Sequence, residues 1–389
     1  MLDNFPEKLT RVTTSGRFIK EIDGLRFLAI FPVVIQHLSE RIQRKSEILF
    51  IDRGEYYDYI GWMASRGFIG VYLFFAISGF VLSLPFAAHY LKGSSKVNIK
   101  NYFLRRVTRL EPPYIFFMTL FFIVLLFSQR FGSFELFLHY LASLFYIHNL
   151  IYGSWTPINP VAWTLEIEIQ FYIIAPFLAT FIFQLKNKLV RRIGLLLLIY
   201  AGILLQYQFG WIYGPVKLTL LRNIQYFLLG FLITDFYLTD WKIFKLRGYL
   251  WDIIFFVSVY YLMTHWSLDF IDNLINPLVL FVVFISVFHG KIINYAITNK
   301  WITATGGMCY TIYLIHLPLA ELYTELFAGY GISNHFWINL IMHSLFFVPI
   351  VFLFSAVFFL MIEKPCMDKN WHQKVFKSIR IRFFGQQPV

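Results

Sequence analysis

Two ionisable residues, Arg26 and His37, lie within one apolar stretch near the start of the sequence, IDGLRFLAIFPVVIQHLSE. At about 100° per residue, their spacing brings both side chains to nearly the same helical face, about 16 Å apart along the axis. Arginine can hold an anion, and histidine can take a proton from a hydroxyl or accept an acyl group. We therefore predict that Arg26 and His37 face one site at two depths. Each also has a simpler explanation, since Arg26 could reach lipid phosphates and His37 could make a polar contact at the outer helix end.

A second basic pair, Arg106 and Arg109, lies in the segment NYFLRRVTRLEPPYIFF. Residues three apart share a helical face, so both guanidinium groups can bind one anion together. Pro112 and Pro113 begin three residues after Arg109 and predict a break or the start of a helix. A basic cluster at a membrane border also serves as an orientation and lipid-anchoring signal, and that explanation stays open.

Two carboxylates, Glu166 and Glu168, lie in the segment WTLEIEIQFY. A spacing of two residues places them about 200° apart on a helix, so they cannot act as a paired acid and base. Glu168 shares a face with Thr164 and Tyr172. A salt bridge to a buried arginine is the alternative role for either glutamate.

Small residues and one further histidine mark two other apolar segments, GFIGVYLFFAISGFVLS and GMCYTIYLIHLPLAELY. We predict that Gly70, Ser78 and Gly79 allow close helix packing. We predict a packing or hydrogen-bonding role for His316.

The composition excludes a soluble globule. Of the 389 residues, 58% are hydrophobic and 14% are charged, whereas roughly 25% are charged in soluble domains. The two cysteines, Cys309 and Cys366, have no disulfide or metal-ligand spacing, so we expect no structural metal. The net charge of +12 could indicate nucleic acid, anionic lipid or an anionic ligand. Because the basic residues are spread over loops as topology signals, we exclude nucleic acid as a partner.

The apolar runs predict an all-α fold, a polytopic transmembrane helical bundle of about ten spans. A run of about 17 to 25 residues can cross a bilayer. The predicted spans are 22–39, 66–90, 112–128, 161–184, 192–209, 217–238, 249–267, 274–290, 303–327 and 335–362.

Most Lys and Arg residues fall on one set of alternate loops, which predicts that both termini are cytoplasmic. The segment 134–151 would reverse the later loops if it crossed, so we predict that it is half-buried or interfacial. The chain divides into a cytoplasmic segment at 1–21, a membrane domain at 22–362 and a basic cytoplasmic tail at 363–389. The first apolar run lacks a small-residue cleavage pattern, so we expect a retained helix rather than a signal peptide.

The motifs, in this order, resemble acyltransferase family 3, the integral-membrane acyltransferases that modify bacterial surface glycans. The matching segments are DGLRFLAIFPVVIQH, GVYLFFAISGFVLS, FLRRVTRLEPPYIFF, WTLEIEIQFY, YTIYLIHLPL and the closing EKP at 363–365. Together they extend over most of the chain, from residue 23 to residue 365, and the first and third are the most specific. The resemblance implies the stand-alone form, without a fused esterase-like domain, in a bacterial inner membrane.

The family pattern of an Arg, ten residues and a His falls on Arg26 and His37, and its pattern of an Arg, two residues and an Arg falls on Arg106 and Arg109. The resemblance implies acetyl-CoA, or another acyl-CoA, as donor and a surface glycan or lipid-linked saccharide as acceptor. Arg106 and Arg109 would hold the donor's phosphates, Arg26 its pantetheine arm, and His37 would activate the acceptor hydroxyl. Glu168 would orient His37 or the acceptor.

Two other functional classes fit intramembrane Arg, His and Glu residues. A transporter or flippase of a glycan precursor or anion would use them for proton or anion passage, although the two halves show no inverted-repeat symmetry. A non-catalytic partner of a polysaccharide assembly complex would tolerate alanine at Arg26, His37 and Arg106.

Overall fold

A computed structural model describes residues 5–11, 18–46, 59–129, 131–244, 248–368 and 371, and none of these residues forms a β-strand. Of the predicted cytoplasmic segment and tail, only 5–11, 18–21, 363–368 and 371 are among them. The α-helices are α1 Phe5–Lys8, α2 Lys20–Lys45, α3 Tyr59–Ser65, α4 Ile69–Lys92, α5 Ile99–Phe127, α6 Ser133–Leu144, α7 His148–Tyr152, α8 Trp163–Phe183, α9 Lys188–Gln208, α10 Leu220–Thr239, α11 Tyr249–His265, α12 Phe270–His289, α13 Ile292–Ile297, α14 Lys300–Gly307, α15 Cys309–Phe327, α16 Phe336–Phe358 and α17 Lys364–Cys366. Short 3₁₀-helices cover Arg66–Phe68, Pro160–Ala162, Pro215–Leu218 and Trp241–Phe244, and a π-helix covers Phe359–Glu363.

The fold is a multi-pass membrane bundle, as predicted from the apolar runs. Within the described residues, eight helical stretches are long and apolar enough to cross a bilayer. The ten predicted runs all fall on helices. The two beyond the eight are α11, which at 17 residues is at the lower length limit of a span, and α15, which carries more polar side chains along its 19 residues.

Helix α5 corrects the prediction of a break or helix start at Pro112 and Pro113. It begins earlier, after Asn98, whose side chain accepts a hydrogen bond from the backbone N–H of Asn101 at 3.0 Å, and it continues through both prolines. Proline is tolerated in membrane helices because neighbouring groups compensate for the lost amide donors. The Tyr310 hydroxyl donates to the Leu110 carbonyl, just before the prolines, at 2.9 Å, so α15 packs against α5 at this point.

The segment 134–151 forms two short helices, α6 and α7, separated at Tyr146, where φ is 57°. Helix α6 has 12 residues and is about 18 Å long, less than the roughly 30 Å of bilayer hydrocarbon. Neither helix can therefore cross the bilayer alone. The Glu166 carboxylate accepts a hydrogen bond from the Asn149 N–H at 2.8 Å, which ties α7 to α8.

Glycines bring the central helices into backbone contact. A Cβ added at Gly79 would lie 2.1 Å from the Phe227 carbonyl oxygen of α10, and one at Gly70 would lie 2.0 Å from the Ala29 carbonyl oxygen of α2. The packing role predicted for these two residues is confirmed. Ser78 has an additional role, because its hydroxyl donates a hydrogen bond to Glu168 of α8.

We predict that Gly79→Ala lowers the free energy of unfolding by about 1–3 kcal/mol, because α4 and α10 must separate to admit the methyl group. Thermal unfolding of the purified protein in detergent measures the change. Gly194→Ala on α9 is the matched control, since its Cβ would meet no described atom within 4 Å. Equal losses in the two variants would contradict a packing role for Gly79.

Candidate active site

A cavity of about 1650 Å³ lies among α2, α4, α5, α8 and α15. It exceeds the roughly 300–1,000 Å³ of a typical small-ligand pocket. Four of the five predicted site residues line it, namely Arg26, Arg106, Arg109 and Glu168. The fifth, His37, is not among the lining residues.

Arg26 is held in place by Asp23, a carboxylate to which sequence analysis gave no role. The Arg26 Nη1 lies 2.6 Å from Asp23 Oδ1, and Arg11 Nε lies 3.0 Å from the same oxygen. The Asp23 side chain is 0% exposed. Two guanidinium groups share one carboxylate, so the group retains net positive charge at the cavity wall. The spacing of three residues between Asp23 and Arg26 could have indicated this ion pair from the sequence, because residues three apart are neighbours on a helix.

Arg106 is supported by aromatic rings. Its guanidinium lies 3.8 Å from the Tyr102 ring centroid and 5.6 Å from that of Tyr172, and it donates to the Tyr102 carbonyl at 3.0 Å. None of the described carboxylates forms an ion pair with it. Aromatic faces attract a cation without neutralising it, so Arg106 keeps its charge for an anion.

Arg109 is supported by Glu363, from the EKP motif near the end of the described chain. Arg109 Nη2 lies 3.8 Å from Glu363 Oε1, and that carboxylate is 0% exposed. Its other oxygen accepts hydrogen bonds from the N–H and hydroxyl of Thr311, at 3.2 and 2.6 Å. Glu363 ends the π-helix, an irregularity that is frequent at functional sites. Only the match of the motif pointed to this residue.

The two glutamates of α8 have different surroundings, as their spacing predicted. Glu168 lines the cavity together with Thr164 and Tyr172 and accepts a hydrogen bond from Ser78. Glu166 is buried away from the cavity against α7, where it accepts the Asn149 N–H.

His37 makes its polar contacts beyond the cavity. Its Nδ1 lies 3.2 Å from the Glu40 carboxylate, and its ring centroid lies 5.3 Å from that of His316 on α15. The carboxylate in contact with His37 is therefore Glu40, not Glu168 as one of our hypotheses held. Sequence analysis missed Glu40, although it lies three residues from His37 on the same helix.

The cavity reaches the neighbourhood of the two histidines at Val33, Thr164 and Tyr313, all of which line it. The Tyr313 hydroxyl hydrogen-bonds with that of Thr164 at 2.6 Å and with the Val161 carbonyl, and the Tyr313 ring centroid lies 6.2 Å from that of His316. His37 follows Val33 by one helical turn, about 6 Å. His37 therefore lies about one turn beyond the part of α2 that lines the cavity.

Comparison with known proteins identifies the class. The model of the acyltransferase domain family matches residues 19–360, so the chain belongs to this acyltransferase family and the resemblance drawn from the motifs is confirmed. The chain is 26% identical over 335 residues to the O-acetyltransferase OatA of Staphylococcus aureus, covering 78% of this chain and 51% of that protein.

A second relative is the peptidoglycan O-acetyltransferase OatA of Listeria monocytogenes, 31% identical over 211 residues, which cover 49% of this chain and 30% of that protein. The chain therefore spans about half the length of the S. aureus relative and less than a third of the length of the L. monocytogenes relative. No solved structure matches the chain significantly.

We predict that Asp23→Asn lowers the free energy of unfolding by about 3–5 kcal/mol, since it leaves buried guanidinium groups without their carboxylate. Unfolding in mixed detergent micelles measures the change. Glu325→Gln is the control, because its side chain is 64% exposed and pairs with Lys45 at 2.8 Å, a contact for which we expect less than about 1 kcal/mol. Equal effects would show that the Asp23 pair has no special structural role.

Proposed function

We propose that this protein is a membrane O-acyltransferase that moves an acetyl group from acetyl-CoA to a hydroxyl of an extracytoplasmic glycan, such as O-antigen or another surface polysaccharide. The observation that carries the proposal is the convergence of Arg26, Arg106 and Arg109 on one large cavity that ends one helical turn from His37. Family membership and the names of the relatives support acyl transfer. Both termini face the cytoplasm of a bacterial inner membrane in this proposal.

The cavity suits a donor that carries phosphates on a long arm. Arg106 and Arg109 line it together with Lys92 and Lys96, at the side that the charge pattern assigns to the cytoplasm. Guanidinium groups bind phosphate oxygens bidentately. The thin pantetheine arm then extends past Arg26 toward Val33, Thr164 and Tyr313, which brings the thioester to the His37 end.

His37 supplies the proton transfer. Because a carboxylate only accepts, Glu40 holds the proton on Nδ1 of His37 and leaves Nε2 as the base. The acceptor oxygen attacks the thioester carbonyl carbon, a C–O bond forms, and its proton passes to Nε2. The C–S bond then breaks, and the proton moves from Nε2 to the departing sulfur. Glu168 orients the acceptor.

In this proposal the thioester reaches His37 by passing between Thr164 and Tyr313, which breaks the hydrogen bond between their hydroxyls. The arm of the bound donor then fills the opening and excludes water from the reacting atoms.

We predict that His37→Ala slows glycan acetylation at least about 100-fold, because the acceptor hydroxyl loses its base. Mass spectrometry measures the mass of the surface glycan from a deletion strain that is complemented with each variant. Loss of acetylation lowers the glycan mass by one acetyl group, about 42 Da, per modified sugar.

His265→Ala is the control for this experiment, since His265 is an exposed histidine at the end of α11. Both variants are checked for membrane insertion. Normal acetylation by His37→Ala would remove the proposed base. If wild type moves glycan without consuming labelled acetyl-CoA, the protein is a transporter instead.

We predict that Arg106→Ala raises the KM for acetyl-CoA about tenfold or more with little change in kcat, because it removes a charge-assisted contact to phosphate. Steady-state transfer by the purified protein measures both constants. Lys100→Ala, an exposed basic residue on α5 outside the cavity lining, is the control. Equal KM values would assign the basic cluster to lipid anchoring.

A further inference from the structure

His316 is a buried histidine whose tautomer is fixed by its own helix. Its side chain is 0% exposed, and its Nδ1 lies 3.0 Å from the Ile312 carbonyl and 2.8 Å from the Tyr313 carbonyl. Carbonyl oxygens only accept, so Nδ1 carries the proton. A second proton would leave a buried cation without a counter-ion. Nε2 of His316 therefore presents a lone pair.

That nitrogen has no hydrogen-bond partner among the described residues. Buried polar atoms are nearly always hydrogen-bonded, so an unpartnered one calls for a ligand or a functional explanation. His343 gives the contrast within this chain, because it is also buried but both of its nitrogens are bonded. They lie 3.0 Å from the Tyr323 hydroxyl and 3.0 Å from the Tyr330 carbonyl.

The ring facing His316 is that of His37, at 5.3 Å between centroids with an angle of 36° between the planes. Nδ1 of His37 is taken by Glu40, so its Nε2 is also an acceptor in the neutral ring. With both rings neutral, the two Nε2 atoms are acceptors and cannot form a hydrogen bond with each other. A hydrogen bond between them becomes possible when Nε2 of His37 is protonated.

We propose that His316 is a positioning residue for acyl transfer, whose Nε2 accepts a hydrogen bond from the Nε2–H that His37 gains from the acceptor hydroxyl. The inference rests on the proposed function. The hydroxyl proton is held between the two rings while the C–O bond forms, and it passes to the thiolate sulfur when the C–S bond breaks. His316 itself is unchanged by the cycle. Its contact and that of Glu40 together hold both edges of the His37 imidazolium.

Two substitutions separate this role from packing. Asparagine at position 316 can replace the Nδ1 donor but has no group at Nε2, whereas glutamine places an amide oxygen near Nε2. We expect His316→Asn to lower kcat about 10- to 100-fold with an unchanged KM for acetyl-CoA. We expect His316→Gln to retain at least about a third of wild-type kcat. His343→Asn, the buried-histidine control, should alter stability without altering kcat.

The readout is the initial rate of labelled acetyl transfer from acetyl-CoA to endogenous glycan in membrane vesicles, at matched amounts of inserted protein. Wild-type kcat in His316→Asn, or equal losses in the Asn and Gln variants, would overturn the proposal. If His316→Asn fails to insert, His316→Gln decides alone: retained kcat supports the proposal and lost kcat contradicts it.

A double-mutant cycle tests whether His316 acts through His37. We expect His316→Asn to cause no further loss of residual rate on the His37→Ala background, and an additive loss would contradict the inference. Failure of the proposed function is a separate result, because wild-type vesicles would then transfer no acetyl group at all.

Discussion

The structure depends on one constraint, which is that a charge inside the bilayer must have its partner within the protein. Asp23 satisfies this constraint by pairing with Arg26 on its own helix and with Arg11 of the N-terminal segment. Its backbone also touches α14, because a Cβ at Gly306 would lie 1.8 Å from the Asp23 carbonyl oxygen. Three parts of the chain therefore meet at Asp23. An arginine fixed in this way can face a cavity without reorganising when an anion arrives, which is the basis of electrostatic preorganisation.

Much of the fold could be predicted from sequence, because bilayer thickness sets the length of an apolar run and leaves helices as the available structure. Helical periodicity also assigned faces correctly. It placed Glu168 with Thr164 and Tyr172, which share the cavity wall, and separated Glu168 from Glu166. The continuity of α5 through Pro112 was not predictable from local proline chemistry, which favours a break in soluble helices but is tolerated within a membrane bundle.

The rest of the candidate site depends on which helices lie opposite one another, and spacing within one helix does not contain that information. The hydrogen bond from Ser78 to Glu168 could not be predicted, because it joins two helices, α4 and α8. Glu363 could not be linked to Arg109 without the three-dimensional path of α16 and the π-helix. Glu40 differs from these two residues, because its spacing of three residues from His37 can be read from the sequence. The spacing alone did not indicate that Glu40 contacts His37.

The hydrogen bonds of Tyr313 at the cavity wall have a consequence for the energetics of the cell. A cavity lined by arginines and lysines attracts water, and a continuous water column across the membrane would carry protons down their electrochemical gradient. The Tyr313 hydroxyl is bonded to Thr164 and to the Val161 carbonyl, so the protein itself, rather than a chain of water molecules, satisfies it. A cavity wall whose polar groups are satisfied in this way limits proton leakage and helps to preserve the proton-motive force.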